Sequence, residues 1–138
     1  MLRIRRNLQL AAASTFVASF GGIALVSTGH DDAYITFWPV HTLSAFGEIL
    51  NYDLERVEQS SSLLHTLLLA GLHTATGFSI PLLSWVVGVG FGVLTVVRAV
   101  GLSEALGRRP GWALPLVIGT APAFLYWWFS GLETAMVT

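Results

Sequence analysis

Of 138 residues, 11% are charged and 54% hydrophobic, and the mean hydropathy is +0.68. A soluble domain carries about a quarter charged residues, so this apolar surplus needs lipid as its solvent. The net charge of −1 gives no global field for nucleic acid, and the absence of cysteine excludes disulfides, thiolate catalysis and cysteine metal sites.

In chain order, formal charges stop at Arg6 and resume at Asp31. Residues 8–29 between them are long enough for a span, which takes about 20 residues. A cleaved signal peptide is the rival, but its apolar region is normally about 7–15 residues. The next charge-free run, 59–97, would be about 58 Å long as one helix, roughly twice the bilayer core. It must break, and Gly77 with Pro81 marks the place. The break leaves a short segment at 61–76 and a span at 80–100. A loop at 101–111 leads to a third span at 112–132, with Trp112 at one end and Tyr126, Trp127 and Trp128 near the other, as in an interfacial aromatic belt. Pro115 and Pro122 should bend it.

Whether 61–76 crosses the membrane decides the topology. If it lies along the interface, Arg3, Arg5, Arg6, Arg98, Arg108 and Arg109 fall on one side and Arg56 alone on the other. If it spans, that bias nearly vanishes. The positive-inside rule selects the first arrangement. The expected fold is therefore all-α and integral to the cell's inner membrane. About three transmembrane helices cross it, with a cytoplasmic N-terminus, an outer loop at 30–79 and a cytoplasmic loop at 101–111. In 61–76, Leu64, Leu67, Leu68 and Gly71 share a face that suits an interfacial helix; a short buried helix fits the same periodicity.

This topology gathers Asp31, Asp32, Glu48, Asp53, Glu55, Glu58 and Glu133 at the outer surface and leaves Glu104 inside. Asp31 and Asp32 suit a helix N-cap, yet a cap needs one carboxylate and adjacent ones repel. The functional reading makes one a general base or a metal ligand at the water–lipid boundary. Arg56, the one cation on this face, is the natural partner for a phosphate or for the aspartates, although residues 55–58 equally read as a solvated turn. His30 suits a phosphate contact. His41, His65 and His73 read as polar points on interfacial helices. Gly88, Gly90 and Gly92 fail the spacing of nucleotide loops and read as close helix packing.

Several short blocks, in order, resemble the bacterial polytopic C-type glycosyltransferases, the polyprenyl-phosphate-sugar-dependent arabinosyl- and mannosyltransferases most of all. They are Asp31-Asp32-Ala33-Tyr34-Ile35-Thr36-Phe37, Asn51-Tyr52, Glu55-Arg56-Val57-Glu58, Ser61-Ser62-Leu63-Leu64 and Ser130-Gly131-Leu132-Glu133-Thr134-Ala135. The resemblance implies an outer loop with two interfacial helices and transfer, with inversion, from a polyprenyl-phosphate sugar to a hydroxyl of a glycan, lipid or protein acceptor. Asp31 or Asp32 would be the base. Arg56, Glu58, Glu133, Tyr34 and His30 would contact substrates. A divalent cation (Mg or Mn), where used, would sit on Asp31 and Asp32 and offset phosphate charge.

The departures are specific. Trp38-Pro39 stands where the family has an arginine and an aromatic, and Pro39 should disturb a helix from Asp32 to Phe46. Gln59 replaces a common glycine, and His65 stands near a usual tryptophan. The chain stops as a fourth span would start at Thr134, so the resemblance covers only the N-terminal part of such an enzyme, and the 138 residues alone are expected to lack activity. Two other classes fit the composition: a small non-enzymatic membrane protein that packs against a partner, and a transport component. Against the latter, no ionisable residue falls mid-span.

Overall fold

The computed structural model describes residues 31–56, 63–108 and 113–124, with Asn7, Ala11, Ser14 and Thr15 of the N-terminal segment; Asp31 and Asp32 are described by backbone alone. The described residues form helices joined by turns, with one isolated antiparallel bridge between Leu50 and Arg56. The helices are α1 (Asp31–Phe46), α2 (Leu63–Thr76), α3 (Ile80–Ala105) and α4 (Ala113–Thr120).

Helix α1 begins on two aspartates, whose negative charge suits the exposed amides of a first turn. It passes through Pro39 without ending, contrary to the expected disturbance. A proline removes a single ladder donor, and Pro39 is itself buried, held by packing around it. Gly47 closes the helix, its N–H donating to the Leu43 carbonyl at 3.0 Å.

The predicted break at Gly77 and Pro81 is present. Gly77 has a φ of 70°, a left-handed conformation that glycine adopts without penalty, and its N–H donates to the His73 carbonyl at 2.8 Å. Three residues on, α3 starts with Pro81 in its first turn, where the missing N–H costs nothing. At 26 residues, with a mean hydropathy of 2.2 over its best window, α3 is long and apolar enough to cross a membrane. It continues past the expected end at residue 100 and takes in Gly101–Ala105.

Helix α4 is shorter than the span expected at 112–132. It stops at Thr120, and Pro122 supplies the reason, because its ring disfavours helical backbone at Ala121. Helical backbone resumes at 122–124, and the rest of that segment lies outside the described residues.

Two apolar clusters use α3 as a common spine. Val40 of α1, Leu69 and Ala70 of α2, and Ile80 and Leu83 of α3 are buried together, flanked by Phe37, Leu43, Leu72 and Val87. Further along α3, Val96 is buried among Trp85, Val89, Phe91, Ile118 and Phe124. Gly88 and Gly92, one turn apart, are buried in α3, whereas Gly90 is exposed and a Cβ there would meet nothing within 4 Å. Helix α2 buries His65, Thr66, Leu69 and Ala70, and exposes Leu63, Leu64 and Leu67. Its leucine face thus points away from the protein.

Candidate functional site

The chemistry-bearing residues meet where α1, the following loop and the start of α3 converge. In α1, Tyr34, Trp38 and His41 are spaced four and three residues apart and so share one face. Asp31 stands three positions before Tyr34 in the same register. Asp32 is one step round the helix, in register with Ile35 and Pro39.

The loop after α1 is a tight, self-bonded turn. The Asn51 side-chain oxygen accepts from the Asp53 N–H at 2.8 Å and the Glu55 N–H at 2.9 Å. This is the local bonding by which asparagine builds turns. Leu54 adopts a φ of 62°, an uncommon left-handed conformation for a branched side chain. The loop is tied to α1 through buried Thr42, whose Oγ1 accepts from the Leu50 N–H at 3.1 Å and donates to the Pro39 carbonyl at 3.2 Å.

So anchored, the loop lays Tyr52 over Trp38, ring centroids 4.8 Å apart and planes 21° from parallel. The Tyr52 hydroxyl donates to the Tyr34 carbonyl at 3.4 Å. Tyr34, Phe37, Trp38, His41, Tyr52 and His73 line an open cavity of about 460 Å³, completed by Ile80 and Pro81. That volume falls in the range of small-ligand sites. His73 is fixed by its Nδ1, 2.6 Å from the Phe78 carbonyl. The Trp38 indole N–H is buried without an acceptor among the described residues, a state that costs about 1–3 kcal/mol when nothing satisfies it.

Among the described residues Arg56, expected to partner a phosphate or the aspartates, has an acidic partner within its own loop. Its guanidinium pairs with Glu48, Nε donating to Glu48 Oε2 at 3.0 Å and the second nitrogen to Glu48 Oε1. The hydrogen bond and charge of Arg56 hold the Glu48 carboxyl below its ordinary range, and Glu48 raises Arg56 in turn. The pair is reciprocal, lies only eight residues apart in sequence, and is in solvent. Glu55 and Arg56 are both exposed, as a solvated turn would be.

Of the residues singled out from sequence, Tyr34 joins the groove and Asp31 shares its helical register, while Arg56 stands outside the groove lining. His30, Glu58 and Glu133 lie outside the described residues. Among the described residues there is no group of three or more His, Asp or Glu able to hold a metal. Sequence reasoning missed Trp38, Tyr52, His41 and His73 as site residues. The 34–38–41 spacing was available as a signal. The Tyr52 contribution was not, because it depends on the loop fold.

At the opposite end of α3 a second cavity, about 910 Å³, is shared by Asn7 and residues from Phe91 to Ala105. Asn7 therefore lies by the far end of the helix whose beginning meets α1.

No protein-family model matches the chain, no curated protein matches its sequence, and no solved structure matches its fold.

Proposed function

We propose that this chain carries the acidic outer-face loop of a membrane glycosyltransferase that moves a sugar from a polyprenyl-phosphate donor to an acceptor hydroxyl. The observation that carries this reading is one coincidence of position. The aromatic groove continues the helical face that begins at Asp31, and its floor is Ile80 and Pro81, the first residues of the apolar helix α3. A saccharide offers apolar ring faces to aromatic side chains and hydroxyls to polar ones; a polyprenyl tail needs adjacent lipid. This groove supplies both at one boundary.

In this reading Asp31 takes the proton of the acceptor hydroxyl. The acceptor oxygen attacks the anomeric carbon, the bond from that carbon to the phosphate oxygen breaks, and the electron pair leaves with the lipid phosphate, inverting the centre. Asp32, out of register with the groove, supports the helix start and the local charge. Ring stacking on Tyr34, Trp38 or Tyr52 orients the sugar. Arg56 reaches the phosphate by exchanging Glu48 for it. A divalent cation on Asp31 and Asp32 is part of the resemblance, and no step above depends on it.

The topology belongs to the same proposal: N-terminus in the cytoplasm, α1 and α2 at the outer surface, α3 crossing. Asn7 beside Arg98 and Leu102, with α1 beside Ile80 and Pro81, supports opposite ends for the two. The outward leucine face of α2 supports a helix lying between protein and lipid.

The test is calorimetric titration of a short-chain polyprenyl-phosphate sugar into the chain in lipid nanodiscs. Saturable binding is expected, weakened about two- to tenfold in Trp38→Ala by loss of stacking. Heat that never saturates, or binding indifferent to Trp38, defeats the groove assignment. The base is tested separately: in any assembly that turns the donor over, Asp31→Asn abolishes transfer. Transfer retained in both Asp31→Asn and Asp32→Asn removes the catalytic role from this pair.

A further inference from the structure

Arg98 is the one formal charge in α3 before Glu104 in its last turn, and its surroundings differ from those of Arg56. Counting from Ile80 at about 1.5 Å per residue, Arg98 lies about 27 Å along α3. The hydrocarbon core is about 30 Å thick, so an α3 that enters the bilayer at Ile80 brings Arg98 to the depth of the opposite headgroups. Arg56 has Glu48; Arg98 has no ion pair or hydrogen bond with any described residue.

The guanidinium does not stand on a convex surface. It lines the cavity of about 910 Å³ into which Asn7 also faces from the N-terminal segment. Around these groups the described lining is largely apolar, with Phe91, Leu94 and Val97 toward the middle of α3 and Leu102 beyond; the hydroxyl of Thr95, also in the lining, donates to the Phe91 carbonyl at 3.0 Å. Glu104, the acid nearest this end, is not part of the lining. Among the described residues the cavity therefore offers one cation, one amide and the already bonded Thr95 hydroxyl at and below headgroup depth, above a largely apolar slot that runs back into the hydrocarbon region.

We propose that this cavity binds one anionic membrane phospholipid, its phosphate on Arg98 and Asn7 and an acyl chain along Phe91, Leu94 and Val97. Charge complementarity selects an anionic headgroup: a zwitterionic one would bring its own cation into a cavity whose described lining holds Arg98 and no acid. A second helix is the competing occupant, and it would need a carboxylate facing Arg98. The inference requires α3 to cross a bilayer and is independent of the transferase reading, because the two sites sit at opposite ends of that helix.

The experiment places the chain in nanodiscs of phosphatidylcholine with a minority of phosphatidylglycerol, then reads retained lipid by native mass spectrometry as detergent strips the disc. Preferential retention of one phosphatidylglycerol is expected. Arg98→Gln should weaken that retention about tenfold, the scale of a lost hydrogen bond to a charged group. Arg98→Lys should keep most of it, because a phosphate also accepts a point charge, and Arg108→Gln should leave it unchanged. Equal retention in Arg98→Gln overturns the site, and so does an equal loss in Arg108→Gln, which would mean diffuse charge attraction. A photoreactive residue replacing Leu102 closes the remaining route: lipid adducts support the assignment, and cross-links to polypeptide alone give the cavity to a helix and refute it.

Discussion

Replacing Thr42 with valine should unfasten the loop that completes the groove while leaving the helices in place. Thr42 is fully buried, and its Oγ1 is the one acceptor for the half-buried Leu50 N–H among the described residues, at 3.1 Å. Valine fills nearly the same space with a methyl group and cannot accept. The Pro39 carbonyl loses a side-chain donor at 3.2 Å but stays within the α1 ladder, so the damage falls on Leu50. An unsatisfied amide costs about 1–3 kcal/mol. Water can reach a half-buried group, which puts the cost near the lower end, about 1.4 kcal/mol, or tenfold in the opening equilibrium. Hydrogen exchange followed by mass spectrometry or NMR, on protein in nanodiscs, reads this directly. Exchange at Leu50 and Asn51 should quicken about tenfold, with Leu69 and Ala70 in α2 unchanged. Unaltered exchange at Leu50 would refute the tie, and a uniform rise across α1, α2 and α3 would show that the hydroxyl supports the whole fold instead.

Other perturbations follow from the same structure. Leu69→Ala empties a buried position shared by α1, α2 and α3 and should lower stability in detergent by about 2–5 kcal/mol; a thermal-melt loss under about 1 kcal/mol would contradict that core. At Gly77 an alanine meets no atom within 4 Å, so Gly77→Ala should cost only its left-handed backbone, about 1–2 kcal/mol. A much larger loss would mean packing that the structure does not contain. Because Arg56 depresses the Glu48 pKa, the ion pair is complete above the ordinary carboxylate range and lost as pH falls through the lowered folded value. Both groups are exposed, so the effect should appear as loosening of the Gly47–Arg56 loop in the Arg56 side-chain NMR signals and not as global unfolding. Glu48→Gln should abolish that pH dependence.

The parts of the fold legible in the sequence were those set by local rules. A 39-residue uncharged run is too long for one helix, so Gly77 and Pro81 located a break that α2 and α3 respect. The all-helical character followed from composition, and of the about three spans expected from run length, one helix of membrane-crossing length is present among the described residues. The leucine face of 61–76 was legible too, because period alone separates Leu64 and Leu67 from His65 and Thr66. What was not legible depended on partners. Pro39 read as a disturbance because sequence shows the lost N–H and not the packing that retains the helix. Arg56 read as a partner for a phosphate or for the aspartates, and its pairing with Glu48 was not legible because the loop fold delivers that carboxylate. Trp38 was noted as a departure from a pattern, when its contact with Tyr52 makes it part of the groove wall. That contact joins residues fourteen apart through the Asn51 turn, and no periodicity encodes it.

The most direct test of the proposed site is covalent mapping. A polyprenyl-phosphate sugar with a photoreactive group on the sugar, activated in nanodiscs holding the chain, should label the α1 face from Tyr34 to His41 and Tyr52 in the loop. Excess unmodified donor should compete with that labelling. Labelling confined to the Phe91–Ala105 end of α3, or spread without competition over the exposed leucines of α2, would contradict the account.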